Sequence, residues 1–147
     1  MGKLVRDAMT PNPRTVALGD SVVEAAQIME EEDVGSVPVV DADNILAGMI
    51  TDRDIALRVV AAGRDPRSTT AGEVATKQVS PAYPDVSLDE ALELMAYLQV
   101  RRLPVIEDDR VIGILAQADV VHEVRDKKAG HLVEEISLPR VQESGLG

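Results

Sequence analysis

Shifted by 66 residues, the chain lies on itself. SVVEAAQIMEEEDVGSVPVVDAD (21 to 43) falls on SLDEALELMAYLQVRRLPVIEDD (87 to 109), and VRDAMT (5 to 10) falls on AGEVAT (71 to 76). Ser21/Ser87, Glu24/Glu90, Ala25/Ala91, Met29/Met95, Val34/Val100, Pro38/Pro104, Val39/Val105 and Asp43/Asp109 are identical pairs. One residue is lost in the turn that follows, and a shift of 65 then sets GMITDRDI (48 to 55) on GILAQADV (113 to 120), with Gly48 on Gly113 and Asp54 on Asp119. Agreement at that density with a single gap marks a tandem duplication. It constrains the fold more than any other feature, because both halves must build the same unit.

Each half reads alike. Ser21-x-x-Glu24 and Ser87-x-x-Glu90 are capping boxes, which satisfy orphan N–H groups at a helix start. Apolar residues follow at helical spacing: Val22, Ala25, Ala26 and Met29, then Leu88, Ala91, Leu92 and Met95. SVPVV and LPVI are short β-branched strands closed by the turns DADN and EDDR, and ILAGMI and VIGIL are their hairpin partners. A second helix starts near Thr51 and near Ala116. The unit is helix–strand–strand–helix, preceded by a short helix and strand. A unit of about 60 residues leaves one apolar sheet face uncovered, and two units packed together cover both. The expectation is an α/β (α+β) fold of two tandem repeats packed through their sheets. Repeat 1 spans 1–62, a linker rich in small polar residues 63–70, and repeat 2 spans 71–126; 127–147 is a polar tail with a weak helical patch around HLVEEI and a frayed end.

Composition narrows the chemistry. The only aromatics are Tyr83 and Tyr97, so the core is aliphatic and a bound base would lie between aliphatic side chains. Fifteen Lys and Arg against 26 Asp and Glu give a net charge of −11, which repels polyanions and argues against sequence-independent nucleic-acid binding. A small anion can still bind where a few arginines converge. There are no cysteines, which excludes disulfides and thiolate chemistry. With no apolar run of 18 residues and a start, MGKLVRDAM, that is unlike a signal peptide, no membrane partner and a cytoplasmic location are expected. The only histidines, His122 and His131, lie outside the repeats with neither a metal-ligand nor a triad context. No catalytic residue, metal or required cofactor is therefore expected.

Thr51 and Asp54 admit two readings. A helix N-terminus favours a phosphate, and a carboxylate one turn in can accept hydrogen bonds from two ribose hydroxyls. Thr-x-x-Asp is equally a capping pattern worth about 1 kcal/mol. In the second half, Ala116 cannot cap, yet Asp119 is present. A purely reciprocal cap has little use for that carboxylate, which favours ligand contact, although Asp suits any helix start. Arg101 and Arg102 precede LPVI and match phosphate oxygens bidentately, or form a solvated pair at a strand edge. Arg53, beside Asp54, is placed to reach a phosphate or to face solvent.

Taken together, VRDAMT, the Glu-Ala with a later Met in the first helix, VGSVPVVD, VRRLPVI and the twice-occurring G-h-h-x-x-x-D-h resemble the cystathionine-β-synthase (CBS) domain pair over about residues 3 to 122. The absence of a further domain resembles the stand-alone pairs of the hypoxic response type. The resemblance implies a regulatory module, with clefts between the repeats that take AMP, ADP or ATP, and less often S-adenosylmethionine or NAD. It implies a homodimer built as a flat disc of four repeats, acting on an unidentified protein partner. By position, it makes Asp54 and Asp119 ribose-binding and Thr51 phosphate-binding, with Arg53, Arg101 and Arg102 as the basic contribution. Thr15, Val16, Val37 and Leu103 match positions that meet adenine through backbone groups, and Pro81, or Ser80 by a one-residue slip, is the counterpart of Thr15. The rival expectation is a ligand-free dimeric interaction or stress-response protein with vestigial clefts, which Ala116 and the acidic charge favour.

Overall fold

The computed structural model describes residues 2–123 and residue 125. The tail reading around HLVEEI, and His131, lie outside them. In chain order the elements are α1 (Val5–Ala8), β1 (Thr10–Pro11), β2 (Val16–Ala17), α2 (Val22–Glu32), β3 (Ser36–Val40), β4 (Leu46–Thr51) and α3 (Asp52–Ile55), which runs into a π-helical turn, Ala56–Val60. Then come α4 (Ala71–Val74), α5 (Leu88–Leu98), β5 (Arg102–Glu107) and β6 (Arg110–Ala116), and a closing helix begins at residue 117.

The duplication is visible in local geometry. Helices α2 and α5 each have 11 residues and end on a left-handed residue, Asp33 (φ 57°) and Gln99 (φ 58°). Their buried faces are Val22, Ala25, Ile28 and Met29 in α2, and Leu88, Ala91 and Met95 in α5. Strand β3 pairs antiparallel with β4, and β5 with β6; each hairpin has an irregularity at the same place, Val39/Val40 and Val105/Ile106. One sheet runs β2-β3-β4 and the other β1-β6-β5.

Strand β1 belongs to the second half's sheet, antiparallel to β6, and this follows from an exchange. Helix α1 sends Val5 (0% exposed) into the core of the second half, beside Leu88, Met95, Leu103 and Leu115. Helix α4 sends Ala71 and Val74 into the core of the first, beside Val16, Val37 and Ile50. Each valine so buried contributes ~1.5–3 kcal/mol that depends on the other half being folded. The hairpin turns also meet: Leu46 N–H donates to Asp109 O (3.0 Å) and Val111 N–H to Asn44 O (3.1 Å), around a small cluster of Val40, Leu46, Ile106 and Val111.

The exchange also corrects the helix starts. Ser21 makes no side-chain cap, and Ser87 accepts only from Glu90 N–H (3.1 Å), so neither expected box closes. The first N–H groups are taken instead by the arriving strands: Val22 N–H donates to Thr69 O (2.9 Å) and Leu88 N–H to Lys3 O (3.1 Å). Thr69 and Lys3 are themselves 66 residues apart. A full box forms at α4, where Thr70 and Glu73 bond reciprocally. The Thr70 N–H, with Arg64 alongside, holds the Glu73 carboxyl below its ordinary value.

Candidate functional site

Strand β4 leaves the core after Ile50 (0% exposed) and turns into α3 at Thr51 (φ −116°, ψ 164°). The Thr51 hydroxyl accepts from Asp54 N–H (3.0 Å), and Asp54 Oδ2 accepts from Thr51 N–H (2.9 Å). The Asp54 carboxylate also accepts from the Thr76 hydroxyl, at 3.3 Å to Oδ1 and 3.4 Å to Oδ2. Thr76 is held against β4 by paired backbone bonds to Met49 (3.0 and 2.8 Å), so the segment behind α4 clasps the first half. Asp54 is 8% exposed, and both its oxygens have protein donors.

The matching turn in the second half is built differently. Gln117 N–H donates to Arg101 O (2.7 Å), as Asp52 N–H does to Gly35 O (3.0 Å). Ala116 offers no hydroxyl, and Asp119 is exposed, with no hydrogen bond or ion pair among the described residues. Beside this turn is a hollow of about 530 Å³. Arg101 and Arg102 form one wall, Ala116 and Gln117 the floor, and Ala118, Val121, His122 and Arg125 the other wall. Those last four are spaced as one face of the closing helix. Asp119 is one residue on, about 100° round the helix, and does not line the hollow. Arg101, Arg102 and Arg125 make no ion pair among the described residues. No carboxylate lines the hollow.

At the equivalent place in the first half stand Gly35 and Ser36 for the two arginines, Asp52 for Gln117, and Leu57 and Val60 for His122 and Arg125. A Cβ on Gly35 would lie 3.1 Å from Asp52 Oδ2, so a carboxylate occupies the place where the second half is basic.

The CBS domain model matches residues 5–61 and again 71–126. This chain belongs to the CBS domain family. The pair is 40% identical over 134 residues to CBS domain-containing protein YhcV of Bacillus subtilis, covering 90% of this chain and 94% of the relative. It is 37% identical to hypoxic response protein 1 of Mycobacterium tuberculosis, covering 91% and 94%. Among solved structures, it is similar to Hypoxic Response Protein I with two coordinated zinc ions (TM-score 0.77, 39% identity, covering 82% and 98%). It is also similar to CBSX2 in complex with AMP (0.74, 28%, 86% and 99%). A third is the CBS pair of MJ0100 with 5′-methylthioadenosine and S-adenosyl-L-methionine (0.74, 29%, 86% and 99%). Among the described residues of this CBS pair, no group of three or more His, Cys, Asp or Glu could hold a metal.

The structure brings Arg101 and Arg102 together in one hollow, leaves Asp119 off its wall, and places exposed Arg53 with Thr51 and Asp54 at the first turn. Val16, Val37 and Leu103 point into the cores (1%, 1% and 2% exposed), so only their backbone can face a ligand. Thr15 and Pro81 are half-buried and Ser80 is exposed. His122, read from sequence as lying outside the repeats, is within the second matched unit and lines the hollow. Gln117, Arg125 and Thr76 were not singled out from sequence. The 65-residue register could have flagged His122 and Arg125, since it sets them on Leu57 and Val60, a change from apolar to basic at one position.

Proposed function

We propose that this CBS pair is a regulatory module that binds an adenosine nucleotide (AMP, ADP or ATP) and signals by conformational change. The observation that carries this reading is the convergence of three arginines without ion-pair partners in a chain of net charge −11. Guanidinium groups left unpaired among so many carboxylates suit an anionic ligand, and phosphate oxygens match them bidentately. Asp119, exposed and unbonded, is free to accept from ribose hydroxyls. The CBS pairs crystallised with AMP and with adenosine sulfur compounds lend support. S-adenosylmethionine is the less favoured ligand here, because its sulfonium would face like charge. The exchanged helices give a ligand at one half a mechanical route to the other. The reading includes a homodimer, supported by Leu57 and Val60, which are 50% and 72% exposed on the first half. It also includes a cytoplasmic location, where nucleotides are available, an unidentified protein partner, and no catalytic role.

A thermal-shift panel of AMP, ADP, ATP, NAD and S-adenosylmethionine tests this. Ligand at a hundred times its dissociation constant stabilises by about 2.7 kcal/mol, a rise of several degrees in Tm. Silence across the panel would sink the nucleotide reading. It would leave the second one, a ligand-free interaction protein, which the saturated carboxylate of Asp54 and the missing hydroxyl at Ala116 favour.

A further inference from the structure

We infer that the hollow between the start of β5 and the closing helix is an anion seat in its own right. It takes a multiply charged phosphate chain and is present once per chain, because the first half has closed its own copy with Asp52. The inference goes beyond the nucleotide reading, since nothing in it requires adenosine. Three guanidiniums converge on about 530 Å³ from two elements: Arg101 and Arg102 from the entry to β5, and Arg125 from the closing helix. Gln117 on the floor adds an uncharged amide that can donate, and His122 adds a second nitrogen-bearing wall residue. A single phosphate satisfies one or two guanidinium forks, whereas three call for a longer, more highly charged anion. The whole chain repels such a ligand, so retention depends on this local concentration of positive charge.

The duplication supplies the control. Without Arg101, Arg102 and Arg125, the first-half copy has only Gly35, Ser36 and Val60 at those positions, and the Asp52 carboxylate lies over Gly35 (Oδ2 3.1 Å from where its Cβ would be). Residue 52 against residue 117, Asp against Gln, is the specificity-determining difference: the same backbone bond to the preceding strand is kept in both halves, while the charge facing the hollow is reversed.

Isothermal titration of the full chain with inorganic tripolyphosphate, ATP and AMP tests this at low and at physiological salt. Tripolyphosphate is expected to bind once per chain, more weakly as salt rises. Arg125→Ala and Arg102→Ala should each lower its affinity about tenfold or more, the loss of a charge-assisted pair. Gln117→Asp should do the same without lowering Tm, because Asp in a first helical turn suits the helix dipole; Asp52→Gln should leave the affinity of that site unchanged. If tripolyphosphate binds and ATP binds no better, the seat stands and the adenosine reading falls. If ATP binds more tightly and shares the Arg125 and Gln117 dependence, both stand, and the phosphate chain arrives on a nucleotide. The inference is overturned if tripolyphosphate gives no binding, binds twice per chain, or is indifferent to Arg125→Ala and Gln117→Asp; AMP binding that persists in those variants would then keep the adenosine reading alone.

Discussion

At position 54 the carboxylate accepts the Thr51 N–H at 2.9 Å and the Thr76 hydroxyl at 3.3 Å, while at the duplicated position 119 it is exposed and unbonded among the described residues. The pattern Thr-x-x-Asp made the cap legible in the sequence, because both partners are three residues apart and the geometry is local. Thr76 was not legible, since it reaches Asp54 only through its backbone pairing with Met49 across the exchange. The two aspartates should therefore differ in stability. Asp54→Ala is expected to cost about 1–3 kcal/mol, a lost cap plus a buried N–H left unpaired. Asp119→Ala should stay within about 0.5 kcal/mol, as a surface change. Urea denaturation midpoints of the two variants decide this, and equal costs would mean that the Asp54 bonds contribute little.

At the scale of elements, the short helices α1 and α4 matter more than their four residues each would suggest. Each supplies core side chains and a helix-capping carbonyl to the opposite half, which is why Ser21 is left without a capping role. Sequence reasoning placed these helices correctly through VRDAMT and AGEVAT but gave no indication of which core they join. The tightest point of the exchange is Gly48, where an added Cβ would meet the Thr76 carbonyl at 2.6 Å. Its counterpart, Gly113, would meet the Met9 sulfur at 2.6 Å, the movable end of a flexible side chain. Gly48→Ala is expected to destabilise by about 1–3 kcal/mol, because backbone must move backbone. Gly113→Ala should cost less, and thermal melts of the pair would show the order; the reverse order would place the rigid contact elsewhere.

At the scale of the whole molecule, the two halves share a framework and present different surfaces. Where the second half offers His122 and Arg125, the first offers Leu57 and Val60, half and almost three-quarters exposed. Apolar side chains so exposed on adjacent turns are ordinary at a subunit interface. If the homodimer reading holds, Leu57→Asp with Val60→Asp should halve the mass measured by light scattering, with little loss of monomer fold. A wild-type chain that already runs as a monomer would remove self-association from the proposed function.

The period of 66 residues, the alternation of helical and strand patterns and the lack of aromatics and cysteines determined the family, the two-unit α/β architecture and the aliphatic core, because each is a local or repeating property of the chain. Only the tertiary structure decided which core each leading helix enters, that Asp54 is closed by a threonine 22 residues away, and that Arg125 and His122 join Arg101 and Arg102 around one hollow that Asp119 does not line. Those are contacts between elements. A duplicated sequence cannot announce them, since the same residue pattern admits packing within a half or across halves, and the balance is set by which surfaces are buried together.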